Sequence, residues 1–142
     1  MKYVLMAYSD TQWLARMSNH ERARLAQAAQ ANNEALRASG HLLATEQLYS
    51  PHNTTTIRVY PDKAHDKGHD KGHDKVSVIN GALAATQEQL MGIYVIAARD
   101  LNEAIQVAAQ MPQAINGPIE VRPLLDLDPD QAHPEAVHQG SG

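Results

Sequence analysis

The chain has 142 residues, enough for one domain with a sizeable core, and a formal net charge of -4 at pH 7. That balance gives no electrostatic reason to expect nucleic acid or an anionic membrane as a partner. There is no cysteine, which removes disulfides, thiolate metal sites and cysteine nucleophiles together and suits a reducing cytoplasm. Hydrophobic residues make up 43% of the chain but include no Phe, so Leu, Ile, Val, Met and Ala must fill the interior. No apolar stretch approaches the roughly 18 residues of a membrane helix. The opening Met1–Tyr8 run is also too short for a secretory signal, and a cytoplasmic location is expected.

Residues 2 to 8 are apolar and β-prone, and predict a buried strand. Ser18-Asn19-His20-Glu21 has the form of a capping box and predicts a helix from about Asn19 to Ala38. Leu25, Ala29, Asn32 and Leu36 fall on its inner face, with Ala28 beside them, and Gly40 stops it. His41 to Leu48 predicts a strand. Thr54–Tyr60, rich in β-branched residues, predicts another, with Val76–Ile79 as its hairpin partner and Asn80-Gly81 as a turn. Thr86-Gln87-Glu88-Gln89 has the pattern of a second, shorter helical cap. Ile93–Ala97 predicts a buried strand, and Asp100 caps a helix with Leu101, Ala104, Ile105, Ala108 and Met111 inward. Pro112 ends that helix. Ile119–Leu124 alternates with period two, as a strand with one face in water does. From Asp126 onward little remains to bury, and a flexible tail is expected over 126–142.

This order predicts an α+β, ferredoxin-like domain over 1–125, an antiparallel sheet with its two main helices on one face. The uncovered sheet face calls for a second copy of the chain, so a homodimer is expected.

The ordered set Met1–Asp10, Leu36–Gly40, Asn80-Gly81 through Gly92-Ile93-Tyr94, and Ile119–Pro123 resembles the YCII-related proteins, in particular their DGPF branch. The resemblance implies a dimeric α+β barrel and a small-molecule enzyme of acid–base type, lyase- or isomerase-like, with a site near the end of the first strand. In better understood members a His–Asp pair is thought to act. By this resemblance Asp10 matches the acidic position, whereas the helix histidine falls at Ala29. The branch's Asp-Gly-Pro-Phe motif reads Asn80-Gly81-Ala82-Leu83, and its following acidic and lysine positions read Ala85 and Gln87. Three ionisable positions have become neutral in one loop.

The residues themselves nominate Asp10 as a catalytic acid or base, because a carboxylate at a strand end against apolar walls has a raised pKa. Tyr8 and Tyr94 sit in or beside central strands, where their hydroxyls could orient a ligand; core packing is the plainer role. His20, in a first helical turn, and His41, after a glycine stop, are more distant choices for a base. Walker, dinucleotide-binding, HExxH and nucleophile-elbow motifs are absent from the sequence.

His-Asp-Lys occurs three times within Ala64–Lys75, interrupting the predicted hairpin at 61–75. His65, His69 and His73, with neighbouring carboxylates, could gather around one Zn, Ni or Cu ion. Tandem expansion of a tolerated surface loop accounts better for the exact repetition. Two classes therefore stand side by side: a small-molecule-binding dimer with acid–base chemistry, and a non-catalytic binding or interaction protein holding divalent metal through the repeat. If the repeat binds zinc, the cost of ordering a glycine-containing loop should keep the affinity at roughly micromolar or weaker. Calorimetry should then show binding that weakens as pH falls through about 6 and disappears when His65, His69 and His73 are all replaced by Asn.

Overall fold

The computed structural model describes residues 1–61 and 74–126, and the chain forms two compact units. One comprises Met1–Leu48 with the chain from Gln87 onward; the other is Tyr49–Thr86. The repeat histidines and the expected tail from residue 127 lie outside the described residues.

In the larger unit the apolar N-terminal run forms strand β1 (Lys2–Asp10). The Asp10 side chain then caps a short helix, α1 (Thr11–Arg16), which the sequence reading does not contain. Six residues give too short a pattern for periodicity to reveal. Helix α2 (Asn19–Ala38) has the expected bounds, with the Ser18 hydroxyl accepting from the Glu21 amide at 3.1 Å. The Glu21 carboxylate accepts from that same hydroxyl, also at 3.1 Å. Leu25, Ala29, Asn32 and Leu36 are half-buried as expected, whereas Ala28 is exposed. Gly40 closes the helix with φ +83°, a conformation that disfavours a side chain.

Strands β2 (Leu42–Gln47), β5 (Glu88–Ala97) and β6 (Ile119–Pro123) complete a four-stranded antiparallel sheet of order β2-β5-β1-β6. Helix α3 (Leu101–Ala109) links β5 to β6 by way of a 3-10 turn, Pro112–Ile115. This is the α+β ferredoxin-like layout, with one helical crossover in each half. Glu88 and Gln89, read as part of a helical cap, instead open β5. β1 continues to Asp10 and pairs Ser9 with Gln89 and Asp10 with Glu88, so strand pairing overrides the local capping pattern.

Alternation along the strands divides the sheet into two faces. Tyr3, Leu5, Ala7, Tyr94 and Ile96 are buried with Ala104, Val107, Ala108 and Met111, and Leu36 packs against this core. The α3 contact is thus built on Ala104, Val107 and Ala108, small residues that let the helix approach closely. Leu101 and Ile105, expected on that face, are 43% and 47% exposed. On the other face Val4, Met6, Ile93 and Val95 remain half-exposed.

The smaller unit is a hairpin of β3 (Thr55–Tyr60) and β4 (Lys75–Asn80), within one residue of the expected strands. The Gly81 amide donates to the Thr54 carbonyl at 2.8 Å, and the Thr56 hydroxyl donates to the Gly81 carbonyl at 2.7 Å. Among the described residues no helix is long and apolar enough to cross a membrane.

Gly117, between the 3-10 turn and β6, passes so close to β1 that a Cβ there would collide with the Tyr8 carbonyl oxygen. Both parties to that clash are backbone, so relief requires moving a strand. Gly117→Ala should lower unfolding free energy by roughly 1–3 kcal/mol, measurable by urea denaturation.

Candidate functional site

The sequence-nominated residues do not converge. Tyr8 and Asp10 share the parity of Val4 and Met6 and lie on the half-exposed sheet face. Tyr94 pairs with Leu5 and is buried on the helix-covered face. His41 precedes β2, and its carbonyl accepts from the Ala97 amide. Asp10 pairs with Glu88 at the other end of β5, nine residues away, a span of roughly 30 Å. His20 is exposed in the first turn of α2.

Asp10 has a local structural role. Its carboxylate accepts from the amides of Gln12 at 2.9 Å and Trp13 at 3.2 Å, and from the Gln87 side-chain amide at 2.6 Å. Desolvation alone would raise its pKa. The hydrogen bonds from Trp13, Gln87 and Gln12, with the nearby Arg16 charge, outweigh that effect and hold the carboxyl below its usual range. This reverses the rise expected from an apolar strand end. Strand termini that continue straight into a helix offer unpaired amides, and these stabilise the charged carboxylate.

The two tyrosines shift upward. Tyr8 hydrogen-bonds Glu120, and this bond, burial and the Glu120 charge all favour the neutral phenol. For Tyr94 burial dominates, against the opposing hydrogen bonds of Gln47, Gln113 and Thr45. Near pH 7 Asp10 is therefore ionised and both phenols are protonated. None of the three is poised to exchange a proton at neutrality.

His41 belongs to another network. Its Nδ1 is 2.6 Å from the Ser39 hydroxyl and its Nε2 is 3.3 Å from Glu103, which also accepts from the Arg99 side chain at 2.6 Å. The Arg99 amide and side chain hold the Glu103 carboxyl below its usual range despite some desolvation, with a further contribution from His41. The arrangement braces the end of α2 against α3.

Tyr94 lies in a buried hydrogen-bond network that the sequence reading missed. The Tyr94 hydroxyl accepts from the side-chain amide of Gln47 at 3.0 Å and from that of Gln113. Gly92 makes room for the first contact: a Cβ there would lie 2.9 Å from Gln47 Oε1, so the missing side chain lets Gln47 lie across the strand. Helix α2 packs against the 3-10 turn that carries Gln113. On these two elements Asn32 Nδ2, Asn33 Oδ1 and Gln113 Oε1 are buried without a hydrogen-bond partner. Asn32 on the predicted inner face of α2 and a glycine inside a strand run were the available sequence signals. Nothing in sequence marks Gln47 or Gln113.

The YCII-related domain family model matches residues 1–128. The chain belongs to the YCII-related family. No curated protein matches it. In this YCII-related chain Ala29 lies on the half-buried α2 face that also carries Asn32. The groups around Tyr94 are neutral amides and hydroxyls. Among the described residues no group of three or more His, Asp or Glu side chains is placed to hold a metal ion; His65, His69 and His73 lie outside them.

If Asp10 serves as a cap, Asp10→Ala should lower the melting temperature by a few degrees at pH 7, while Asp10→Asn, itself a good cap, should lower it less. The folded-state pKa is depressed, so the ionised carboxylate stabilises the fold above the unfolded pKa of about 3.9. That contribution is lost as pH falls through the lower folded value, so the difference between wild type and Asp10→Asn should shrink below about pH 4 in thermal melts.

Proposed function

We propose that this YCII-related protein is a homodimer that binds a small, neutral, polar molecule at the amide cluster around Tyr94. The observation that carries the reading is the set of three buried, unpartnered polar atoms on α2 and the 3-10 turn. Each such atom costs about 1–3 kcal/mol while it lacks a partner, so folded chains supply one. Asn32 Nδ2 offers a donor, whereas Asn33 Oδ1 and Gln113 Oε1 offer acceptors. A ligand that both donates and accepts hydrogen bonds, such as an amide, a lactam or a hydroxylated ring, complements groups of both kinds. A carboxylate or phosphate would meet no cation among these groups.

Binding rather than proton transfer is the activity favoured by the protonation states. Asp10 is held ionised as a cap, and Tyr8 and Tyr94 are held as neutral phenols, so none of the three is poised to exchange a proton near neutrality. The homodimer reading is supported by the second sheet face, where Val4, Met6, Ile93 and Val95 form an apolar centre. Glu46 pairs with Ile93 on one side, and Glu120 and Arg122 pair with Met6 and Val4 on the other. An apolar patch rimmed by charge has the composition of a protein interface. The absence of cysteine fits a cytoplasmic location.

Calorimetry against neutral amides, lactams and polyols, with carboxylates as controls, tests the binding reading. At least one neutral compound should bind, and the Tyr94→Phe variant, which loses the hydroxyl that receives Gln47 and Gln113, should bind it roughly tenfold or more weakly. Because the folded-state pKa of Tyr94 is raised, binding should be flat from about pH 5 to 9 and should fall only as pH climbs past about 10, through the folded value. Heat from none of the neutral compounds, with Tyr94→Phe as stable as wild type, would sink the proposal. Sedimentation equilibrium should give twice the 15.5 kDa chain mass.

A further inference from the structure

At the end of β2, strand pairing sets Gln47 opposite Gly92. Gly92 is buried and shares the parity of Tyr94, whereas Gln47 is exposed. The three atoms nearest to where a Gly92 Cβ would stand all belong to the Gln47 carboxamide: Oε1 at 2.9 Å, Nε2 at 3.1 Å and Cδ at 3.2 Å. An exposed side chain thus folds its polar end back into space that any other residue at position 92 would fill. From there its Nε2 donates to the Tyr94 hydroxyl at 3.0 Å, although Tyr94 itself is only 1% exposed. The backbone beside it is fixed separately, since the Leu48 amide donates to the Met91 carbonyl at 2.9 Å. The side chain can therefore leave while the strand stays paired.

We propose that Gln47 is a displaceable occupant of a carboxamide slot over Gly92, and that the ligand held beside Tyr94 carries a primary carboxamide. The proposal rests on the reading of Tyr94 as the centre of a binding site and names the group that site recognises. The present occupant defines the slot: a flat amide lies against a bare backbone and aims its nitrogen at a phenol oxygen. A ligand carboxamide has the same outline, donors and acceptor as that of Gln47, so it replaces the hydrogen bond without leaving Tyr94 unpaired. Displacement costs little. Gln47 exchanges one neutral hydrogen bond for water and regains the rotamer freedom of a long exposed side chain. Gln113 is half-buried on the 3-10 turn, so of the two amides on the Tyr94 hydroxyl Gln47 is the one free to leave. A glycine inside a strand weakens it, and often marks a place where another group must approach the backbone closely. A carboxylate would bring a charge and no donor, and an N,N-dialkyl amide has no N–H to offer the phenol.

Propionamide, the Gln47 side chain from Cβ outward, serves as the probe. Its binding is followed by the Gly92 and Tyr94 amide signals in heteronuclear NMR spectra. Gln47→Ala vacates the slot and should bind propionamide with a roughly millimolar dissociation constant. That constant should be at least about fivefold lower than for wild type, where Gln47 competes. N,N-dimethylpropionamide and propionate should leave the signals unmoved. In Gln47→Ala/Gly92→Ala the new methyl fills the slot, and propionamide binding should be lost. Gln47→Ser vacates the slot equally and repeats the test if the alanine variant folds poorly. Suppose a neutral compound binds wild type and Gln47→Ala with affinities within about twofold, while propionamide moves no Gly92 signal in the variant. That result would overturn the carboxamide slot and leave binding at Tyr94 standing. A ligand bound more weakly by Gln47→Ala than by wild type would make Gln47 a ligand contact, and would overturn its role as occupant in the same way. Binding of no neutral compound by either protein would overturn both readings.

Discussion

Pairing between β1 and β5, from Lys2 opposite Ala97 to Asp10 opposite Glu88, places everything else in the larger unit. It joins the first and second halves of the chain and leaves β2 and β6 to add on either side. Because side chains alternate across a strand, one register decides which residues meet the helices. Tyr94 lies opposite Leu5 and is buried; Ile93 lies opposite Met6 and stays half-exposed. A one-residue slip would exchange those fates and turn the Tyr94 hydroxyl away from Gln47 and Gln113. The register shift between Ala7 and Tyr8, where Ala7 faces Gly92 and Tyr8 faces Leu90, accommodates one extra β5 residue near the glycine that makes room for Gln47.

The polar groups of this YCII-related chain are sorted by function within that frame. Charged residues serve as caps and braces: Asp10 on α1, Asp100 on α3, and Glu103 between Arg99 and His41. These contacts satisfy helix ends and hold the Asp10 and Glu103 carboxyls below their usual range. The deeper polar groups are neutral, with the Tyr94 phenol receiving two amides at the centre. Neutral groups can be buried at far lower cost than charges, so this arrangement suits recognition by hydrogen bonding.

The hairpin obeys a different logic. Its backbone pairing is regular, and Thr56 and Gly81 tie its open end. Its exposed residues, however, include Ile57, Val59, Val76 and Val78, side chains that favour burial. In the larger unit the analogous apolar residues are divided between a covered core and one half-exposed face. Both regions leave apolar β surface exposed or half-exposed.

The local signals in the sequence determined most of the elements. Ser18 and Glu21 start α2, Gly40 ends it, Asp100 starts α3, and the β-branched run Thr55–Tyr60 is a strand in any context that offers a partner. Alternation and element order were enough to specify the ferredoxin-like class. Tertiary structure decided matters that depend on residues distant in sequence. Glu88 and Gln89 became strand because β1 extends far enough to pair with them, and Leu101 and Ile105 were left exposed because Ala104 and Ala108 make the closer contact. Asp10 shows the same limit in its chemistry. The apolar strand before it argued for a neutral acid, but the amides of Gln12 and Trp13 and the side chain of Gln87 stabilise the anion. The cluster at Tyr94 was least legible because its donors come from β2 and the 3-10 turn, each with an ordinary local sequence. A hydrogen bond between groups tens of residues apart has no periodicity to reveal it; only folding brings Gln47 and Gln113 to one hydroxyl.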